Sequence, residues 1–166
     1  MRTYTLMLSS VPWMIAAGLM LASCNKGSQL RGGIPSLALK TYAGEAYPIT
    51  SGDSIVTLLV FWATWCQPCL MEIPTLVVLQ DKFRSRGFRV VSINIDDPVG
   101  GKALPIMQRF GVNYPVLAGN TEATRVYGGV NALPTSFIIG RDGKIKEKIQ
   151  GLLPAYQMEE KIAAQF

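Results

Sequence analysis

Two apolar runs constrain this chain more than any other feature. Residues 55–62 (IVTLLVFW) carry no charge and are rich in β-branched and aromatic side chains. A run of that kind reads as a strand buried on both faces. Residues 88–95 (FRVVSINI) read as a second buried strand. Between them, residues 66–86 place Ile73, Leu76, Val77 and Phe83 at helical spacing and run into Gly87, a helix stop. Pro74 falls inside this helix and is expected to bend it, because proline lacks an N–H and clashes with the carbonyl four residues back. Strand, helix, strand predicts a βαβ unit with a parallel pair.

The flanks add smaller elements. Gly44, between Tyr42 and Tyr47, predicts a short hairpin ahead of the main sheet. Residues 102–110 predict a short helix, 114–117 a short strand, and 121–127 a helix capped by Asn120. Residues 135–139 and 144–150 are strands joined by Arg141-Asp142-Gly143, the strongest local hairpin signal in the chain. A closing helix follows Pro154. No repeat or low-complexity segment interrupts this α/β pattern.

The N-terminus has a different character. Arg2 precedes an uncharged stretch over residues 4–23, and Leu21-Ala22-Ser23-Cys24 ends it. A basic start, an apolar run and small residues describe a secretory signal. The same twenty residues are long enough to span a bilayer as an uncleaved helix. Residues 25–33 are polar and Gly-rich, a flexible tether with an r.m.s. reach of roughly 15–18 Å. The reading divides the chain into residues 1–23 as signal peptide, 24–34 as tether and 35–166 as a single folded domain.

Composition removes whole classes of chemistry. Hydrophobic residues make up 49% and charged residues 16%, which excludes intrinsic disorder. The chain has no His, so Ser-His and Cys-His catalysis and every His-containing metal site are excluded. Three Cys are too few for a disulfide-framework mini-protein. The net charge of +5 comes without basic-aromatic interleaving, so nucleic acid is not a predicted partner. Lys144, Lys146 and Lys148 alternate with Ile145 and Ile149 as the outer face of a strand. Asp96-Asp97 follows the second buried strand and reads as a solvated turn, although α/β ligand sites gather at that end.

The remaining chemistry centres on Trp65-Cys66-Gln67-Pro68-Cys69. Cys66 falls at a helix N-terminus, where free N–H groups and the helix dipole stabilise a thiolate. Cys69, one turn later, is close enough to close a disulfide. Pro68 suits the first helical turn. A static disulfide or half of a zinc site would use the same spacing; the zinc site would lack its other ligands.

Phe61-Trp-Ala-Thr-Trp-Cys-Gln-Pro-Cys-Leu-Met-Glu-Ile-Pro74 resembles the active-site segment of the thioredoxin superfamily, and is most similar to the TlpA/ResA-like branch of membrane-anchored thioredoxins. Leu133-Pro134-Thr135, with the following apolar strand and Arg-Asp-Gly-Lys, resembles the family's second landmark. The resemblance implies a thioredoxin fold, a central mixed sheet flanked by helices, here with an added N-terminal hairpin. It implies that Cys66 attacks and Cys69 resolves. It implies that Pro134 is cis and faces the pair, with the Leu133 backbone beside it to pair with an extended substrate. Glu72, three residues after Cys69, shares its helix face; the resemblance implies that it is the proton acceptor beside the resolving thiol, and a helix-surface Glu favoured by the dipole is the alternative. Ordinary thioredoxins use a buried Asp six residues before the first Cys, where this chain has Val60. Trp62 is assigned to the core. Trp65 reads equally as a docking surface for a partner or as a packing residue, and Trp65 and Pro68 are the candidate substrate-docking residues.

Leu21 to Cys24 resembles a bacterial lipobox, which implies lipid attachment at Cys24 and an extracytoplasmic, membrane-anchored protein. The implied function is a protein thiol-disulfide oxidoreductase, a reductase of the apocytochrome c maturation type fed by a membrane thiol donor. It would act as a monomer with no cofactor beyond its redox-active disulfide and no metal. The alternatives are a disulfide-donating oxidant and a non-catalytic binding lipoprotein that holds a partner or copper. A peroxidase is disfavoured, because the chain carries no Pro-x-x-x-Thr-x-x-Cys peroxiredoxin pattern.

Overall fold

The computed structural model describes residues 37–49 and 53–166. The expected signal peptide (residues 1–23), lipid-attachment Cys24 and tether, and the expected start of the domain at residue 35, lie outside the described residues. The apolar run at residues 55–62 becomes β3 (Val56–Trp62), in which every residue is buried. The second run becomes β4 (Phe88–Asn94), and the two pair in parallel from Val56↔Phe88 to Trp62↔Asn94. Between them lies α1 (Gln67–Phe83), which continues through Pro74. A 3-10 turn over Arg84–Arg86 follows, and Gly87 (φ 78°) reverses the chain in the left-handed conformation glycine tolerates best.

The hairpin expected ahead of the sheet is β1 (Leu37–Thr41) paired antiparallel with β2 (Ala46–Ile49). After β4 come α2 (Ala103–Arg109), β5 (Val116–Ala118) and α3 (Thr121–Val126). The Asn120 side chain accepts the Ala123 N–H at 2.9 Å, as its capping role predicts. The Asp-Gly turn joins β6 (Thr135–Ile139) to β7 (Ile145–Gln150), and α4 (Ala155–Ala163) closes the chain. The sheet order is β2-β1-β5-β4-β3-β6-β7. β3, β4 and β5 are parallel; β6, β7, β1 and β2 join antiparallel. This is the mixed sheet of a thioredoxin fold.

Alternation along the strands builds two cores. One face of the sheet (Leu58, Val60, Val90, Ile138) packs against Leu76, Leu79 and Phe83 of α1 and Met158 and Ile162 of α4. The other (Leu59, Phe61, Val91, Ile93, Phe137) packs against Ala123 and Tyr127 at α3. Both cysteines belong to the first core. Among the described residues no helix is long and apolar enough to cross a membrane.

Candidate active site

β3 delivers the chain to α1 through Ala63, Thr64 and Trp65, and Cys66 caps the helix. Its φ and ψ are −83° and 98°, the extended conformation of an N-cap. Its Sγ accepts the Cys69 N–H at 3.3 Å. Cys66 and Cys69 form a disulfide, with S–S 2.08 Å and Cα–Cα 5.2 Å. Both are buried, whereas Trp65, Gln67 and Pro68 around them are exposed. Trp65 is 68% exposed and Met71 67%. Trp62, by contrast, is a core residue.

The Leu133–Pro134 peptide is cis. Thr135 pairs with Phe61, so this peptide lies at the end of the sheet from which Cys66 emerges. The Pro134 carbonyl accepts the Gly151 N–H at 2.8 Å, and Thr135 Oγ1 donates to the Ala132 carbonyl at 2.7 Å. Leu133 packs against the core that holds the cysteines. Among the described residues its own N–H and carbonyl carry no hydrogen bond.

Glu72 is 2% exposed, and neither carboxyl oxygen has a hydrogen-bond partner. Three residues after Cys69 on α1, it lines the same internal cavity as Cys69. Burial raises its pKa from the ordinary 4.5 to about 7. The Tyr114 hydroxyl is also held well above its usual range, first by burial and second by the Glu72 charge.

One reading is corrected. Asp96-Asp97 is not a solvated turn. The Asp96 carboxylate accepts the Thr64 N–H at 2.8 Å and the Thr64 hydroxyl at 2.7 Å, and also the Asn94 Nδ2 at 3.0 Å. It therefore fastens the turn that carries Cys66. Asp97 is buried and accepts the N–H groups of Gly100, Lys102 and Ala103; these hold its pKa below the usual carboxylate range. The signal was present in the position of the pair at the end of a strand parallel to β3, but its partner at Thr64 is set by register. Among the described residues no group of three or more Cys, Asp or Glu is arranged to hold a metal ion.

The AhpC/TSA family pattern matches residues 32–148. The ResA thiol-disulfide oxidoreductase of Bacillus thuringiensis is 33% identical over 125 residues, 75% of this chain and 72% of the relative. The chain belongs to the AhpC/TSA family, in its ResA-like branch. The ResA of Geobacillus thermodenitrificans is 29% identical over 119 residues, 72% of this chain and 68% of the relative. Among solved structures, a thiol:disulfide interchange protein of the thioredoxin family from Chlorobium tepidum superposes with TM-score 0.74 at 28% identity, covering 81% of this chain and 96% of that one. This ResA-like chain is a protein thiol-disulfide oxidoreductase, and its substrates are protein disulfides.

Proposed function

We propose that this oxidoreductase is a reductase of protein disulfides, with Cys66 as nucleophile, Cys69 as resolving thiol and Glu72 as its base. One observation carries the reading: Cys69 shares a buried cavity with an unpaired carboxyl group that titrates near neutral pH. In the reduced protein the Cys66 thiolate attacks one sulfur of a substrate disulfide, and the other substrate sulfur leaves as thiolate. Cys69 then gives its proton to Glu72, and its sulfur attacks Cys66 Sγ. The second substrate sulfur leaves, and the Cys66–Cys69 disulfide closes. The substrate gains two electrons and the protein loses two. A base with a pKa near 7 suits proton exchange at neutral pH.

Trp65, Pro68 and Leu133 form the docking surface in this reading. The free Leu133 backbone groups suit an extended substrate segment. The apolar leader and Cys24 favour a lipid-anchored position outside the cytoplasm. There a membrane thiol donor would re-reduce the pair, and apocytochrome c is the proposed substrate.

The reduction potential of the Cys66–Cys69 couple in the full chain tests the direction. A value near roughly −270 mV, that of thioredoxin, fits a reductase; a value near roughly −120 mV makes the protein a disulfide donor. Cys69→Ser separates enzyme from binding module. The enzyme accumulates covalent complexes through Cys66 that dithiothreitol releases, whereas a binding module retains its partner without them.

A further inference from the structure

The cavity beside Cys69 has more in its wall than the base. It lies between β3, β4, α1 and the segment leading into β5, and Glu72, Trp62, Ser92 and Tyr114 all line it. Parallel register sets Ser92 opposite Val60, and Trp62 lies two residues beyond Val60 on the same strand face. Three groups of this wall are fully buried without a hydrogen-bond partner: the Trp62 indole N–H, the Ser92 hydroxyl and the Glu72 carboxyl. Orphaned buried polar groups are costly and infrequent, and several around one space is unusual. The space open to the centre of a water molecule is about 10 Å³, the size of one water site. Donor, acceptor and hydroxyl together supply the two to four partners a buried water takes.

We propose that Trp62 and Ser92 hold a single buried water against the Glu72 carboxyl, and that through it they act as positioning residues for the base. The indole N–H donates to the water, the water donates to a Glu72 oxygen, and the Ser92 hydroxyl completes its partners. An ionised carboxylate gains more from that donor than a neutral acid does, so the water favours the charged form of Glu72. In the oxidised protein the other titratable group in the wall is Tyr114, since Cys69, on the same helix, is held in the disulfide; no Lys, Arg or Asp lines it. The inference rests on the reading of Glu72 as base only for its consequence in catalysis, not for the water site itself.

The test uses the oxidised full chain with ¹³C-labelled glutamate, and follows the Glu72 carboxyl signal by NMR against pH. Ser92→Ala and Trp62→Phe each take a partner from the water, and so loosen or release the donor it supplies to the buried carboxylate; each is expected to move the titration midpoint up, by about one unit where the water is lost. Ser92→Thr, which keeps the hydroxyl, restores it. A high-resolution crystal structure of the wild type is expected to show density for one water among the three groups. Unchanged midpoints in both variants, with cooperative unfolding retained, overturn the proposal; so does a Ser92→Ala shift that Ser92→Thr fails to reverse. Glu72→Gln separates the two readings. If it leaves the rate of substrate reduction unchanged while the midpoint shifts are seen, the base assignment fails and the water site stands.

Discussion

At the scale of a single residue, Glu72 makes stability depend on pH around neutrality. Its folded pKa is raised from 4.5 to about 7 by burial. Below pH 4.5 the group is neutral in both states and costs nothing. Between those values the unfolded chain has released its proton and the folded protein has not, so stability falls as pH rises. Above pH 7 the full penalty is present, about 3 kcal/mol at 1.36 kcal/mol per unit. Urea unfolding of the oxidised protein at pH 4.5 and 7.5 is expected to show this loss, and Glu72→Gln to remove it. Asp96 carries a second residue-scale prediction. Its bond from the Thr64 hydroxyl is partly buried, and Thr64→Val removes it while keeping the backbone N–H bond, so a double-mutant cycle of Asp96→Ala with Thr64→Val is expected to give a coupling of about 1 kcal/mol for the hydroxyl bond alone. The placement of Cys66 at the start of α1 and of Cys69 and Glu72 on one face of it was legible, because helical spacing within one segment sets which side chains share a face. Asp96 was not, because its partner lies 32 residues away in the chain.

The elements were legible wherever their signal is local. The two buried runs, the Asp-Gly hairpin and the Asn120 cap each state their structure within a few residues, and each appears in the fold. Boundaries moved where packing outweighed local preference. α1 gives way to a 3-10 turn at Arg84 rather than running to Gly87. The short strand near residue 114 forms at Val116–Ala118, where it pairs with Ser92 to Asn94. That junction is crowded. A Cβ on Gly119 would stand 2.4 Å from Ile93 Cγ2 and 2.7 Å from the Asn94 carbonyl, which also accepts the Gly119 N–H. Backbone cannot give way there as a flexible side chain can. Gly119→Ala is therefore expected to cost about 1–3 kcal/mol by overpacking, read as a lower urea midpoint with an unchanged m-value.

At the scale of the whole molecule, α4 closes one face of the sheet. Met158 and Ile162 are fully buried against it, and Phe166 stacks on Phe83 at 5.8 Å. Removing residues 154–166 is expected to open that core, abolish cooperative thermal unfolding and produce binding of a hydrophobic dye. The same face holds the disulfide, so the truncated chain is also expected to lose exchange activity with a disulfide peptide. By itself the sequence determined the βαβ unit, the hairpin, the cysteine pair at a helix N-terminus and the helix face that Cys69 shares with Glu72. All of these follow from periodicity and spacing within short stretches. Only the tertiary structure decided that Asp96 fastens the Thr64 turn and that Trp62, Ser92 and Tyr114 wall the cavity around Glu72. It likewise placed Pro134 at the end of the sheet where Cys66 emerges. These are contacts between strands and loops distant in the chain, set by parallel register and by which face of the sheet each helix covers. No local pattern of residues encodes that choice.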